Sequence, residues 1–148
     1  MHGGSEQRHA SAVALDGQGC LIFGAPGAGK STLAIEMMAL GATLVADDRV
    51  DLIRRGDTVW MAAPQSLAGV VEARGIGLLA VDAATEAPVS LIVDLDKTQP
   101  QRLPEKRTCD LLGLAHPVIF GQGASGLAAK LVLALGGTIL DPDAPIKR

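Results

Sequence analysis

The stretch GAPGAGKST, residues 24–32, constrains the fold of this chain more than any other feature. It fills the pattern G-x-x-x-x-G-K-[ST] and follows the apolar run CLIF, residues 20–23, which predicts a strand. The apolar residues after it recur at helical spacing: Leu33, Ala34, Met37 and Met38. Gly41 then stands where a helix commonly ends. The sequence therefore predicts a strand, a loop and a helix in succession, which is an α/β arrangement.

Residues 24–32, called the glycine loop below, have the chemistry of a phosphate cradle. Glycines let backbone N–H groups approach phosphate oxygens, and the positive end of the following helix adds to that attraction. A lysine neutralises the β and γ phosphates, and a serine hydroxyl ligates Mg²⁺. The motif predicts that ATP or GTP binds with Mg²⁺ at Gly24, Ala25, Pro26, Gly27, Ala28, Gly29, Lys30, Ser31 and Thr32. The alternative is a glycine-rich turn that binds nothing.

Other segments complete the predicted α/β domain. Short runs rich in β-branched residues predict strands at 11–15, 43–46, 50–54, 58–62, 90–96 and 116–120. The segment 70–81 predicts two strands around a glycine bend, and 124–135 predicts a helix. The segment 98–106, polar with two prolines, predicts an exposed loop. We expect one domain over residues 1–148, with flexible ends at 1–8 and 141–148.

Composition excludes several classes of protein. The net charge is −3 and aromatic residues make up 2% of the chain, so neither a basic surface nor stacking platforms are available for nucleic acid. The most apolar later run, residues 127–135, is too short to span a membrane and contains Lys130. Cys20 and Cys109 match no metal-binding spacing, which indicates reduced thiols. We expect a cytoplasmic protein that binds neither nucleic acid nor membrane.

A nucleotide site of this kind needs a carboxylate near its metal, usually at the end of an apolar strand. Two runs qualify: LVADD, which ends in Asp47 and Asp48, and LIVDLD, which ends in Asp94 and Asp96. The first follows the glycine loop by one helix and one turn, so its strand can lie beside the strand before the loop. For Asp47 and Asp48 a functional role and a solvated turn remain open. For Asp94 and Asp96 the sequence favours a turn.

The order of motifs resembles the HPr kinase/phosphorylase family. The glycine loop, a short helix, VADD at residues 45–48 and EARGIG at residues 72–77 correspond to that family's loop, V-A-D-D and E-x-R-G-x-G signatures. The resemblance covers roughly residues 9–81. It implies an α/β P-loop kinase domain with a mixed β-sheet, of the type shared by HPr kinases and PEP carboxykinases. The family transfers the γ-phosphate of ATP to a serine of HPr, a phosphocarrier protein.

The resemblance also implies roles for individual residues. Lys30 would contact the phosphates, and Ser31 and Glu72 would ligate Mg²⁺. Asp48 would accept the proton of the attacking serine, and Asp47 would shape the charge around it. His9 matches a family histidine regarded as catalytic. We expect a homo-oligomer, a hexamer in relatives, in the short single-domain form of the family.

Two departures separate this chain from the family pattern. Leu111, in CDLLG, stands where the family has an arginine, and residues 120–125 replace a basic segment linked to phosphorolysis. Kinase activity is therefore favoured over phosphorolysis, with Arg102 or Arg107 as substitute cations. Arg74 would pair with an acid or face the substrate phosphate. A small-molecule kinase and a nucleotide-dependent binding module that has lost catalysis are the alternative functions.

Overall fold

The computed structural model describes residues 3–144 and confirms a mixed α/β architecture. Its strands are β1 (Gly4–His9), β2 (Ser11–Leu15), β3 (Gln18–Phe23), β4 (Thr43–Ala46), β5 (Arg49–Arg55), β6 (Thr58–Ala62), β7 (Val70–Ala73), β8 (Gly77–Ala80), β9 (Ala87–Asp94), β10 (Thr108–Leu111) and β11 (Leu114–Phe120). The helices are α1 (Lys30–Ala39) and α2 (Leu127–Gly136), with a 3-10 turn at Gln65–Leu67. The predicted strand, glycine loop and helix are β3, residues 24–29 and α1.

One mixed sheet contains nine of these strands in the order β1-β5-β6-β9-β3-β2-β4, and the β10–β11 hairpin joins it at β9. β9 is the branch point, because β3 lies parallel to it on one side while two strands share the other. β6 pairs antiparallel with the beginning of β9, and β11 pairs parallel with its end. The strands β7 and β8 form a separate hairpin.

The two faces of the sheet carry separate cores. Val13, Ile22 and Val93 pack with the buried faces of α1 and α2. The alternate residues of the same strands, including Leu21 and Ile92, pack on the other face with β5 and β6. This alternation is the period-two pattern of strands buried on both sides. The core is aliphatic, as the shortage of aromatic residues requires.

The glycine loop lies at the carboxyl edge of three parallel strands. Phe23, Asp94 and Phe120 are partners in register across β3, β9 and β11. Ligand sites of α/β sheets form at this edge, because the connections to helices and loops begin there. Acids that follow β9 are thereby brought to the glycine loop.

Several predicted boundaries were wrong. Residues 4–8 of the expected flexible end 1–8 belong to β1 (Gly4–His9), which is fully paired with β5. β10 was not predicted, β9 begins at Ala87 rather than residue 90, and α2 begins at Leu127 rather than residue 124. At the other expected flexible end, residues 141–144 form a turn and 145–148 lie outside the described residues. Within residues 3–144 no helix has the length and apolarity that crossing a membrane requires.

Candidate active site

Two left-handed glycines shape the glycine loop. Gly27 has φ 85° and Gly29 has φ 102°, a backbone region that glycine adopts without strain. The Ala28 N–H donates to the Ala25 carbonyl over 2.9 Å, and the first helical bond runs from the Leu33 N–H to the Gly29 carbonyl. Among the described residues no side chain caps α1. Its uncapped first turn, which forms the positive end of the helix dipole, therefore leaves N–H donors next to the loop.

Gly24 is required for a different reason, because it is closely surrounded. A Cβ at this position would lie 2.9 Å from the Ala28 Cβ and 3.2 Å from the Leu95 Cβ. A larger residue would push the loop away from the segment that follows β9.

Lys30 folds back across the mouth of the glycine loop. Its Nζ donates to the Gly24 carbonyl over 2.6 Å and to the Ala25 carbonyl over 3.2 Å. The side chain is half-buried, so the ammonium group is held against the loop. This position agrees with a cation that neutralises bound phosphate.

The Asp47 carboxylate accepts hydrogen bonds from three other segments. Its Oδ1 accepts the hydroxyl of Ser11 over 2.6 Å and the hydroxyl of Ser31 over 2.7 Å. Its Oδ2 accepts the Glu72 backbone N–H over 3.1 Å. Asp47 is 5% exposed and Ser11 is 0% exposed, so the centre of this cluster is buried. β2, α1 and β7 thus meet at one carboxylate at the end of β4.

Asp48 faces the opposite way from its neighbour. It has φ 69°, its side chain is 73% exposed, and its Oδ2 lies 3.9 Å from Arg49 Nε. His9 is close along the backbone, because it pairs with Arg49 and the Ala10 N–H donates to the Asp48 carbonyl over 3.2 Å. The structure therefore places His9 and Asp48 on neighbouring strand ends.

The structure does not bring the side chains of Ser31 and Glu72, the predicted metal ligands, and of Asp48, the predicted proton acceptor, into contact with one another. Asp47, and not Asp48, contacts the Ser31 hydroxyl. Glu72 reaches the cluster through its backbone N–H, while its side chain is exposed. The physical reason is the turn after β4, which directs the Asp47 carboxylate into the protein and the Asp48 carboxylate toward solvent.

Asp96, for which the sequence favours a turn, also contacts the glycine loop. Its Oδ1 accepts the N–H of Ala25 over 2.9 Å, which ties the glycine loop to the segment after β9. Asp94 in turn accepts the Asp96 N–H over 2.9 Å, so the predicted turn exists. The sequence signal for this contact is that both acids stand at the end of an apolar strand. That strand, β9, pairs in parallel with β3, so its end lies beside the glycine loop.

The cations that the sequence singled out lie in different surroundings. Leu111 is 1% exposed in the core, so a cation at this position would be buried. The guanidinium of Arg107 lies 4.5 Å from the centre of the Phe120 ring, and Lys97 Nζ lies 5.2 Å from it. Arg74 and Arg102 are exposed. Two cations therefore flank the first residue of the segment 120–125, which itself has none.

The donor set fits a metal bound together with a nucleotide phosphate. Within residues 3–144 there is no group of three or more His, Cys, Asp or Glu side chains placed to hold a metal ion. Mg²⁺ commonly takes one or two protein ligands and completes its shell with phosphate oxygens and water. The Ser31 hydroxyl and the Asp47 carboxylate supply such a set beside the loop N–H groups.

Comparisons with known proteins point to one family. The family model for the HPr Serine kinase C-terminal domain matches residues 3–114. An HPr kinase/phosphorylase of Burkholderia lata is 37% identical over 146 residues, covering 89% of this chain and 45% of the relative. One of Burkholderia cenocepacia is 38% identical over 138 residues, covering 84% and 43%. This chain thus spans less than half the length of these curated relatives.

A solved structure has the same fold. The Hpr(Ser) kinase/phosphatase from Coxiella burnetii superposes with a TM-score of 0.75 at 27% sequence identity. The superposition covers 86% of each chain. The likeness therefore extends beyond the glycine loop to most of the sheet.

Proposed function

This chain belongs to the HPr serine kinase C-terminal domain family, and on that premise we propose that it transfers the γ-phosphate of ATP to a serine of an HPr-like phosphocarrier protein. Membership in a kinase family implies nucleotide use with a metal. ATP and Mg²⁺ are the proposed pair. The observation that carries the proposal is the contact between Asp47 and Ser31 directly beside the glycine loop.

In the proposed mechanism the glycine loop binds the phosphate chain. The loop N–H groups and Lys30 would neutralise the phosphate oxygens, and Ser31 and Asp47 would hold Mg²⁺, with the exposed side chain of Glu72 as a proposed further ligand. When bound, the metal would supply charge neutralisation at the phosphates. Phosphoryl transfer passes through a loose transition state, so alignment and charge neutralisation provide most of the catalysis.

Asp48 is the proposed proton acceptor for the attacking serine. Its carboxylate is exposed, where the hydroxyl of a protein substrate can approach it, and its only ion pair among the described residues is with Arg49. His9, on the neighbouring strand end, is proposed to assist it. A proton that leaves late in a loose transition state needs only a weak base, which a carboxylate provides.

The test is phosphotransfer with labelled ATP, Mg²⁺ and the purified phosphocarrier proteins of the source organism. Mass spectrometry would locate the modified residue, and a phosphocarrier with that serine replaced by alanine is the control. Label on a serine of the phosphocarrier supports the proposal. Label on a metabolite instead would indicate a small-molecule kinase.

The proposed assembly is a homo-oligomer, and the proposed setting is the cytoplasm.

A second candidate is a nucleotide-dependent binding module without turnover. It is favoured by the burial of Leu111 and by the lack of a basic residue at 120–125. Nucleotide-dependent complex formation with the phosphocarrier, without label transfer, would support it. The same departures lead us to propose little phosphorolysis, which is measured as release of inorganic pyrophosphate from the phosphorylated carrier and phosphate.

A further inference from the structure

Ser11 is a buried hydroxyl to which the sequence assigned no role. It is 0% exposed and donates to Asp47 Oδ1 over 2.6 Å, the same oxygen that accepts the Ser31 hydroxyl over 2.7 Å. One carboxylate oxygen is therefore shared by a serine of the glycine loop and a serine of the neighbouring sheet. Of the two, Ser31 is partly exposed and Ser11 is not.

The backbone fixes the position of Ser11 relative to Asp47. Ser11 begins β2 and pairs with Ile22 of β3, so it is anchored in the centre of the sheet. The residue before it is also tied down, because the Ala10 N–H donates to the Asp48 carbonyl. The pairing between β2 and β4 shifts register between Ala12 and Val13 and leaves Ser11 beside the end of β4. The backbone pairing therefore holds both partners of the 2.6 Å contact in place.

We propose that Ser11 is a positioning residue that orients the Ser31 hydroxyl for the metal by holding the Asp47 carboxylate. This role rests on the proposed function. A serine hydroxyl that ligates a cation uses its oxygen lone pairs and still has a proton to donate, and Asp47 Oδ1 is the acceptor of that proton here. The direction of the Ser31 lone pairs therefore depends on where Oδ1 lies, and Ser11 fixes Oδ1.

A purely structural role for Ser11 makes a different prediction. If Ser11 only satisfied a buried acceptor, its loss would lower stability and leave the metal dependence of nucleotide binding unchanged. If it positions Asp47, its loss weakens the metal-dependent part of binding. Binding without metal depends on the loop N–H groups and Lys30, which Ser11 does not touch, and stays the same.

The experiment compares full-length wild type with Ser11→Ala by titration with a fluorescent ATP analogue. In EDTA, the affinity of the two proteins for the nucleotide should agree within about twofold. At fixed nucleotide, the Mg²⁺ concentration for half-saturation should rise about tenfold in Ser11→Ala, which corresponds to one lost hydrogen bond to a charged group. Val13→Ala is the control, because Val13 is buried two residues further along the same strand and on the same face, where it packs in the core under the helices. It should keep the wild-type Mg²⁺ dependence.

Three results overturn the proposal. One is a wild-type Mg²⁺ half-saturation in Ser11→Ala, and another is an equal rise in Val13→Ala. If wild type binds no nucleotide with or without Mg²⁺, both the proposed function and this role of Ser11 are wrong. Should Ser11→Ala fail to fold, Ser11→Cys takes its place, because a thiol fills the site with a slightly larger group and donates more weakly. A rise of about threefold is then expected, and no rise overturns the proposal.

Discussion

Replacing Asp47 and Asp48 one at a time by asparagine distinguishes an effect on stability from an effect on phosphotransfer. Asp47→Asn and Asp48→Asn are matched, because each exchanges one carboxylate oxygen for an amide group at neighbouring positions of one turn. Asp47 accepts three hydrogen bonds in a buried cluster, whereas Asp48 has one exposed ion pair at 3.9 Å. The structure therefore predicts that the two variants differ strongly in stability.

The magnitude follows from counting donors around Asp47. An asparagine has one acceptor oxygen, so if that oxygen keeps the hydroxyls of Ser11 and Ser31, its amide group faces the Glu72 N–H, donor against donor. One hydrogen bond to a charged acceptor is lost, which costs about 1.5–3 kcal/mol, and two more become neutral and weaker. The lower cost of burying a neutral amide offsets part of this loss. We expect Asp47→Asn to lower the free energy of unfolding by about 2 kcal/mol.

The assay is urea denaturation of both variants beside wild type. With a slope of about 1–3 kcal/mol per molar urea, a loss of about 2 kcal/mol moves the Asp47→Asn midpoint down by about 1 M. Asp48→Asn should stay within about 0.5 kcal/mol of wild type, because an exposed ion pair contributes little and asparagine tolerates a left-handed backbone. If the two variants lose equal stability, the reasoning about the Asp47 cluster is refuted.

Phosphotransfer should fall in both variants for different reasons, which nucleotide binding distinguishes. Asp48→Asn should bind nucleotide as wild type does and transfer phosphate about 10²–10⁴ times more slowly, as expected for loss of a general base. Asp47→Asn should lose Mg²⁺-dependent nucleotide binding. Equal transfer rates for wild type and Asp48→Asn would remove Asp48 from the mechanism.

Three further predictions follow from contacts of the glycine loop and the core. Lys30→Ala should weaken nucleotide binding at least about tenfold in a fluorescence titration, because it removes the cation held over the loop. Asp96→Ala should speed hydrogen exchange of the Ala25 amide and weaken nucleotide binding with little loss of stability, since it frees an exposed loop N–H; unchanged exchange would contradict this. Burial raises the pKa of the Cys20 thiol to about 12, so an alkylating reagent at pH 8 should label only Cys109 in native protein and both cysteines after unfolding.

The sequence predicted those parts of the fold whose signals are local. The glycine loop and α1 follow from a motif and a helical period within twenty residues, and the hairpin of β2 and β3 follows from an Asp-Gly turn. β1 has no such signal, because its residues GSEQRH are polar and almost entirely exposed. It is a strand because all six of its residues pair with β5, which lies 40 to 50 positions later in the chain. A strand whose two faces are both exposed to solvent has no alternation of apolar and polar residues, so its own sequence does not indicate the pairing.

The same limit applies to the site. A short motif is enough to identify Lys30 and Ser31 as site residues. Which of the two aspartates enters the buried cluster, by contrast, depends on a contact between Asp47 and Ser11, 36 positions away. Likewise Asp96 reaches Ala25 across 71 positions. These contacts are set by which strands lie side by side, and single-sequence patterns do not encode that order.

The turn after β4 explains why neighbouring aspartates acquire different roles. The Arg49 N–H donates to the Asp47 carbonyl over 2.8 Å, and this tight reversal places Asp48 at φ 69°, where glycine would fit with less strain. The side chain of Asp48 adds little stability in return, because its contact with Arg49 is long and exposed. A residue that strains its turn and contributes little to the fold is best explained by chemistry. Asp47 is buried and bonded to three donors, and the exposed carboxylate of its neighbour fits the proposed role of proton acceptor.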